Sequence, residues 1–372
     1  MKACVFSEEK HAFFLFAMEN TVPKFTHKRN ATAIAVLLAA AFALSLVCLF
    51  VGSSGMTVRE CFAALLLRGT AAQERIIWSI RIPRILAAIL AGAGLSVSGL
   101  IMQTTLNNAM ASPSTLGVSN AAVFGANLSI IAAAGGFLDT GNHLSGYTVG
   151  MNPYATSLVA FVFSTGSILL ILGLCRMRAF TPGVVVLAGI AIGAVWTAAT
   201  TVLQFCATDV GLSAAVIWTF GDLGRATYRT DLLTAVVVTA GILFFRIVSW
   251  RLNALLSGDA AAKSMGVNVR ALRFSSMLIA SLITAVCVSF LGVIGFVGII
   301  CPHIVKRVLG QDHRVTVPAS ALAGSVLLLA ADTLSRSIGS GAALPVGAIT
   351  SLLGAPFFLA IIFLRKGHGE DA

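Results

Sequence analysis

The sequence predicts an all-α integral membrane protein of about ten transmembrane helices, and three observations predict it. Hydrophobic residues make up 58% of the 372 and charged residues only 10%, whereas about a quarter of an ordinary soluble domain is charged. The apolar residues lie in continuous runs of about twenty, the length that spans roughly 30 Å of hydrocarbon at ~1.5 Å per residue. Polar and basic turns separate these runs, with none of the period-two alternation of an outer-membrane barrel.

Residues 1–30 carry Lys2, Lys10, Lys24, Lys28 and Arg29 around an apolar patch at 12–18 that is too short to span. A cytoplasmic tail is expected there, with Met18 as the natural start. Span 1 covers 31–51, and a polar, partly amphipathic stretch, 53–74, lies outside. Arg81-Ile82-Pro83-Arg84 opens span 2 (86–105), whose small residues, AGAGLSVSG, allow neighbouring backbones to approach closely. A turn at 107–113 leads to span 3 (116–134) and a long outside loop, 135–154. Span 4 ends at Cys175 before Arg176 and Arg178, and span 5 covers 182–205. The less apolar stretch 207–230 contains IWTFGDLG, a short outer helix or a partly re-entrant element. Span 6 (232–250) leads into the longest inside loop, 251–273. Spans 7 (274–291), 8 (292–309), 9 (317–331) and 10 (346–364) complete the chain. Both termini then lie inside, and about two-thirds of the Lys and Arg fall on that side, as the positive-inside rule requires.

The net charge of +11 is spread among the spans, which reads as topology rather than as nucleic-acid binding. Cys4, Cys48, Cys61, Cys175, Cys206, Cys287 and Cys301 show no metal-binding spacing and are expected as buried small hydrophobes. The six histidines are dispersed, with no HExxH. His303 beside Pro302 is expected to pack or cap near the inner face. No GxxxxGK[ST] motif is present, so the chain has no phosphate-binding loop of its own. No catalytic site is expected.

The spans are nearly free of acids, and Asp332 at the outer end of span 9 comes nearest. An ion-coupled carrier normally shows such residues within its spans, so that class stands as the alternative. A pathway without an energy source implies a partner at the inside loops. In SGDAAAKSMGV, Gly258 supplies a breakable turn, Asp259 a cap and 260–265 a short helix; this is either a docking element or a solvated connector. Outside, Arg81, Arg84 and Arg336 run against the inside bias. Arg336 follows Asp332 by four residues, which makes a helical ion pair, and Arg81 and Arg84 could anchor span 2 by snorkelling. The competing reading is a basic platform for an acidic partner.

IRIPR, NNAMASPSTLGVSNAA, VLAGIAIGA, LLSGDAAAKSMGV and a C-terminal block of GFVGIICPHIVKRVLG, ADTLSR and LPVGAITSLLGAPFF occur in that order. Together they resemble the FecCD/BtuC-like permeases of type II ABC importers. The resemblance implies a permease domain at 31–366 between the tails 1–30 and 367–372, in the bacterial cytoplasmic membrane. It implies a second permease subunit, two ATP-binding cassette subunits that use ATP and Mg, and an extracytoplasmic substrate-binding protein, with no cofactor or metal bound by this chain. The cargo it implies is a metal chelate, an Fe(III)–siderophore foremost, with haem and cobalamin as alternatives.

By position, the resemblance makes Ser257, Gly258, Asp259, Ala262, Met265 and Gly266 the ATPase coupling loop, and Arg81, Arg84 and Arg336 the binding-protein docking residues. It places Asn107, Leu116, Gly193, Gly295 and Gly298 near the translocation path. Two departures stand out. Ala109 and Met110 replace the family's usual Pro-Leu, which bears on the turn, and Ala343 replaces an acidic residue before the last Leu-Pro.

Overall fold

A computed structural model describes residues 25–52, 55–133, 153–177, 181–338 and 344–364; Cys4, Met18 and Ala343 lie outside them, as do nearly all of the 135–154 loop and both tails beyond residues 25 and 364. The regular structure of the described residues is helical throughout. In chain order the helices are α1 (Phe25–Phe50), α2 (Val58–Leu65), α3 (Ala71–Arg75), α4 (Ile82–Thr105), α5 (Val118–Ala133), α6 (Pro153–Met177), α7 (Pro182–Phe205) and α8 (Asp209–Thr219). They continue with α9 (Tyr228–Ile247), α10 (Ser249–Leu256), α11 (Asp259–Ser264), α12 (Val269–Leu291), α13 (Val297–Leu309), α14 (His313–Ile338) and α15 (Val346–Leu364). The ten predicted spans correspond to α1, α4, α5, α6, α7, α9, α12, α13, α14 and α15. Seven stretches of described helix are long and apolar enough to cross a membrane by length and composition, whereas α5 is shorter and α13 has 13 residues.

The centre of the molecule is α4. Every residue from Ala91 to Thr105 is buried, and α12, α13 and α14 pack around it together with α9. Small residues make this possible where lipid supplies no hydrophobic drive between helices. A Cβ on Gly99 would stand 1.9 Å from the Gly298 carbonyl oxygen, and one on Gly92 would stand 2.4 Å from that of Gly324. Glycine is therefore required at both crossings.

Three elements depart from the expected boundaries. The 53–74 stretch forms α2 and α3, each opened by a capping box, Thr57 with Glu60 and Thr70 with Gln73. A π-helical turn, Ile76–Arg81, then joins α3 to α4, so the helical stretch Ala71–Thr105 begins well before the predicted span 2. Span 8 becomes helical only at Val297, because Gly292 (φ 78°) and Phe296 (φ 64°) hold the preceding chain outside the right-handed region. Protein backbone covers this unwound segment: Asp222 N–H donates to the Leu291 carbonyl at 2.8 Å, and a Cβ on Gly221 would lie 2.4 Å from the Val293 oxygen. Irregular backbone at membrane depth is tolerated only when buried in this way. Finally, α14 extends past the predicted span at both ends, so Asp332 and Arg336 sit on one continuous helix.

The 207–230 stretch contains the short helix α8, followed by a 3-10 turn at Leu223–Arg225. Of the described cysteines, Cys48, Cys61, Cys175, Cys287 and Cys301 are buried and Cys206 is half-buried.

Candidate functional site

The predicted coupling loop is a compact, exposed turn of helix. Gly258 (φ 95°) and Gly266 (φ 79°) bracket α11. A Cβ at either would meet no atom within 4 Å, so backbone conformation rather than space demands glycine there. Ser257, Asp259, Lys263 and Met265 face outward, and Ala262 is buried beneath them. Arg273, which sequence reasoning treated only as the loop's far boundary, holds the turn in place. Its Nη1 and Nη2 atoms each donate to an Asp259 carboxylate oxygen at 2.7 Å, and its Nε donates to the Thr105 carbonyl at 3.0 Å. The last carbonyls of a helix lack intrahelical donors, so one guanidinium both caps α4 and tethers the loop to it.

The same last turn of α4 gathers three further elements. Gln103 donates through Nε2 to the Gly298 carbonyl at 3.2 Å and accepts from Lys306 Nζ at 3.0 Å, both on α13. Thr104 Oγ1 lies 2.9 Å from His313 Nε2 at the start of α14. The His313 backbone N–H donates to Asn253 Oδ1 on α10 at 2.8 Å, and Asn253 Nδ2 donates to Asp312 at 2.7 Å. Burial alone would raise the Asp312 pKa, but hydrogen bonds from Arg314 N–H and Asn253, with the Arg314 charge, hold it below the usual value. Residues 103–105 thus connect α10, α11, α13 and α14 at the end of the central helix. The neighbouring turn is closed by Asn108, whose N–H donates to the Gln103 carbonyl at 3.0 Å. Ala109 and Met110, the departures from the family pattern, are both exposed.

At the opposite end the three predicted docking arginines turn inward. Arg81 is 4% exposed and donates from Nη1 to the carbonyls of Leu49 and Phe50. Arg336 donates from Nη1 to the carbonyls of Cys48 (3.0 Å) and Val51 (2.9 Å). Together they cap the C-terminus of α1. Asp332, fully buried, accepts Arg84 Nε at 2.7 Å and pairs with Arg336 Nη2 at 2.9 Å, the helical pair expected from the spacing. Arg84 also lies 3.9 Å from Asp222. The outward-facing basic residues at this end are Arg59, Arg68, Arg75 and Arg229.

The predicted path residues do not converge on one surface. Gly193 lines an open groove of about 590 Å³ with Ser114, Thr115, Asn120, Thr197 and Thr201. Asn120 closes one side by donating to the Gly193 carbonyl at 3.2 Å and to Thr197 Oγ1 at 3.0 Å. Leu116 is buried behind this groove against Gly189. Gly298 packs on Leu95 and Gly99 in the core, and Gly295 lies near Ser351. Asn107 (φ 44°) is exposed just beyond α4.

Residues 37–364 match the family model described as the FecCD transport family. A protein of Methanocaldococcus jannaschii named as an ABC transporter permease is 44% identical over 88% of this chain and 93% of its own length. The hemin transport system permease protein of Yersinia pestis is 36% identical over 78% of this chain and 84% of its own. The Fe(3+)-citrate import system permease protein of Bacillus subtilis is 32% identical over 91% and 97%. Among solved structures, a metal-chelate type ABC transporter in an inward-facing conformation superposes with a TM-score of 0.76 at 25% identity, covering 90% of this chain and 99% of that one.

Proposed function

Because this chain belongs to the FecCD transport family, a family of multi-pass membrane permeases, we propose that it is the permease of a binding-protein-dependent ABC importer carrying a metal chelate. An Fe(III)–siderophore is the cargo to test first, with haem and cobalamin as the alternatives. The family match across nearly all of the membrane domain carries this reading. Support for iron comes from the hemin and Fe(3+)-citrate transporters among its relatives.

In this reading the Asp259 end is cytoplasmic in a bacterial inner membrane. A pair of ATP-binding cassette subunits, which use ATP and Mg²⁺, press on α11, and the permease performs no covalent chemistry itself. Arg273 passes that push to Thr105 at the foot of α4, and residues 103–104 pass it to α13 and α14. Alternating access follows as these helices shift against a second permease subunit. The groove at Gly193 and Thr197 is the part of the path that this chain offers to its partner and cargo.

The binding protein docks at the opposite end. There Arg59, Arg68, Arg75 and Arg229 provide the field that speeds encounter. Arg81, Arg84 and Arg336 form the frame beneath; Arg84 and Arg336 meet acidic residues directly only if their Asp332 pairs open, and Arg81 only if it leaves the α1 carbonyls.

Purification of the tagged permease from its native membrane, followed by mass spectrometry, tests the assembly. The expected companions are an ATPase subunit and a binding protein, whose bound ligand names the chelate. Repeated recovery of the chain with neither companion would contradict the proposal.

A further inference from the structure

A second cleft lies beside the predicted coupling loop. Between the end of α9, α10 and the start of α12 is a cleft of about 420 Å³, lined among others by Phe244, Trp250, Arg251, Gly266, Asn268 and Ser275. The Arg251 guanidinium lies 5.2 Å from the centre of the Trp250 ring, and such stacking holds a cation at an apolar boundary. Asn268 caps α12, accepting from Ala271 N–H at 3.0 Å. The positive end of a 23-residue helix dipole therefore borders the cleft. Local charge is strongly one-sided. Residues 244–275 contain Arg246, Arg251, Lys263, Arg270 and Arg273 against the single acid Asp259, which Arg273 already neutralises.

Leading into this basic end is an apolar strip. Leu232, Leu233, Val236, Leu243 and Ile247 on α9 are all exposed by more than half, and their helix is one of the candidate spans. An occupant suited to both parts must be anionic at one end and a long hydrocarbon at the other. We propose that the cleft holds the headgroup of an anionic phospholipid, with its acyl chains lying along α9. The phosphate faces Arg251 and the first turn of α12, Ser275 and Asn268 supply polar contacts, and Trp250 marks the interface. Gly266 lines the cleft, so the lipid touches the hinge at which the α11 loop ends. The proposal rests on membrane placement and is independent of which cargo is carried.

The test uses the full chain in phosphatidylcholine nanodiscs, doped with either brominated phosphatidylglycerol or brominated phosphatidylcholine. The signal is the tryptophan emission that Trp250→Phe removes, which separates it from Trp78, Trp196 and Trp218. Brominated phosphatidylglycerol is expected to quench it at a lower mole fraction than the zwitterionic lipid. Arg251→Gln should raise the half-quenching fraction about fivefold, the effect of one basic contact with an anionic headgroup. Added glycerol 3-phosphate should leave the quenching unchanged. Equal quenching by both lipids, or no change in Arg251→Gln, would overturn the proposal. Relief of quenching by glycerol 3-phosphate would make this a site for free phosphate, and relief by the partner ATPase subunit would make it a protein-docking surface; either result overturns it too.

Discussion

Replacing Arg273 with Gln should loosen the coupling loop from α4 while leaving the membrane domain folded. The wild-type side chain is 6% exposed, whereas the Asp259 side chain it grips is 47% exposed. Breaking a fully buried ion pair costs about 3–5 kcal/mol. Here water can solvate the released carboxylate, so the loss is smaller, about 2 kcal/mol for the charged hydrogen bonds and the uncapped Thr105 carbonyl together. That corresponds to about a 30-fold rise in the detached loop population. In the assembled transporter, hydrogen exchange across 259–266 should accelerate and cargo moved per ATP should fall, with basal hydrolysis retained. A double-mutant cycle with Asp259→Asn should be clearly non-additive, because both changes remove the same contact. If exchange, coupling ratio and additivity all match independent, silent substitutions, the tether does not transmit force.

Three other outcomes follow from the packing. Asp332→Ala leaves Arg84 and Arg336 buried without their counter-charge and should cost about 3–5 kcal/mol, seen as a lower melting temperature in detergent. An unchanged melt with weaker binding-protein docking would instead assign these arginines to the docking surface alone. Gly99→Val should prevent stable folding, since the added carbon meets the Gly298 carbonyl, a rigid backbone atom; normal yield and melting would show that α4 and α13 are not so close. Gly258→Val has open space around it but must adopt φ near 95°. It should therefore insert normally and uncouple hydrolysis from uptake, and normal coupling would remove α11 from the mechanism.

Hydrophobic run length was enough to locate the helices, because each span must satisfy its own backbone in lipid. The AGAGLSVSG stretch likewise announced a close crossing, although its partners, Gly298 and Gly324, became apparent only in three dimensions. Other features were present in the sequence and passed over. Thr57-Val58-Arg59-Glu60 and Thr70-Ala71-Ala72-Gln73 have the capping-box spacing, and Gly292 with Gly295 marks the unwound entry to α13. Apart from the i,i+4 pair of Arg336 with Asp332, the roles of the arginines were not legible locally. Arg81 and Arg336 cap α1 from 31–32 and 285–288 residues away, and Arg273 reaches Thr105 across 168. A guanidinium's partner over such separations is set by helix packing, which spacing within one segment does not encode. The short helix between Gly258 and Gly266 was legible because two glycines and an acid mark it in a single stretch, whereas its coupling role rests on the family resemblance.

The central claim is that a separate ATPase drives this permease through the Asp259 loop. Its most direct test is uptake of a ferric siderophore by proteoliposomes containing the permease, its co-purifying subunits and the binding protein, with ATP supplied on the ATPase side. Uptake should require ATP and survive dissipation of the proton and sodium gradients. Uptake that persists without ATP or ATPase and collapses with an ion gradient would contradict the account and identify an ion-coupled carrier.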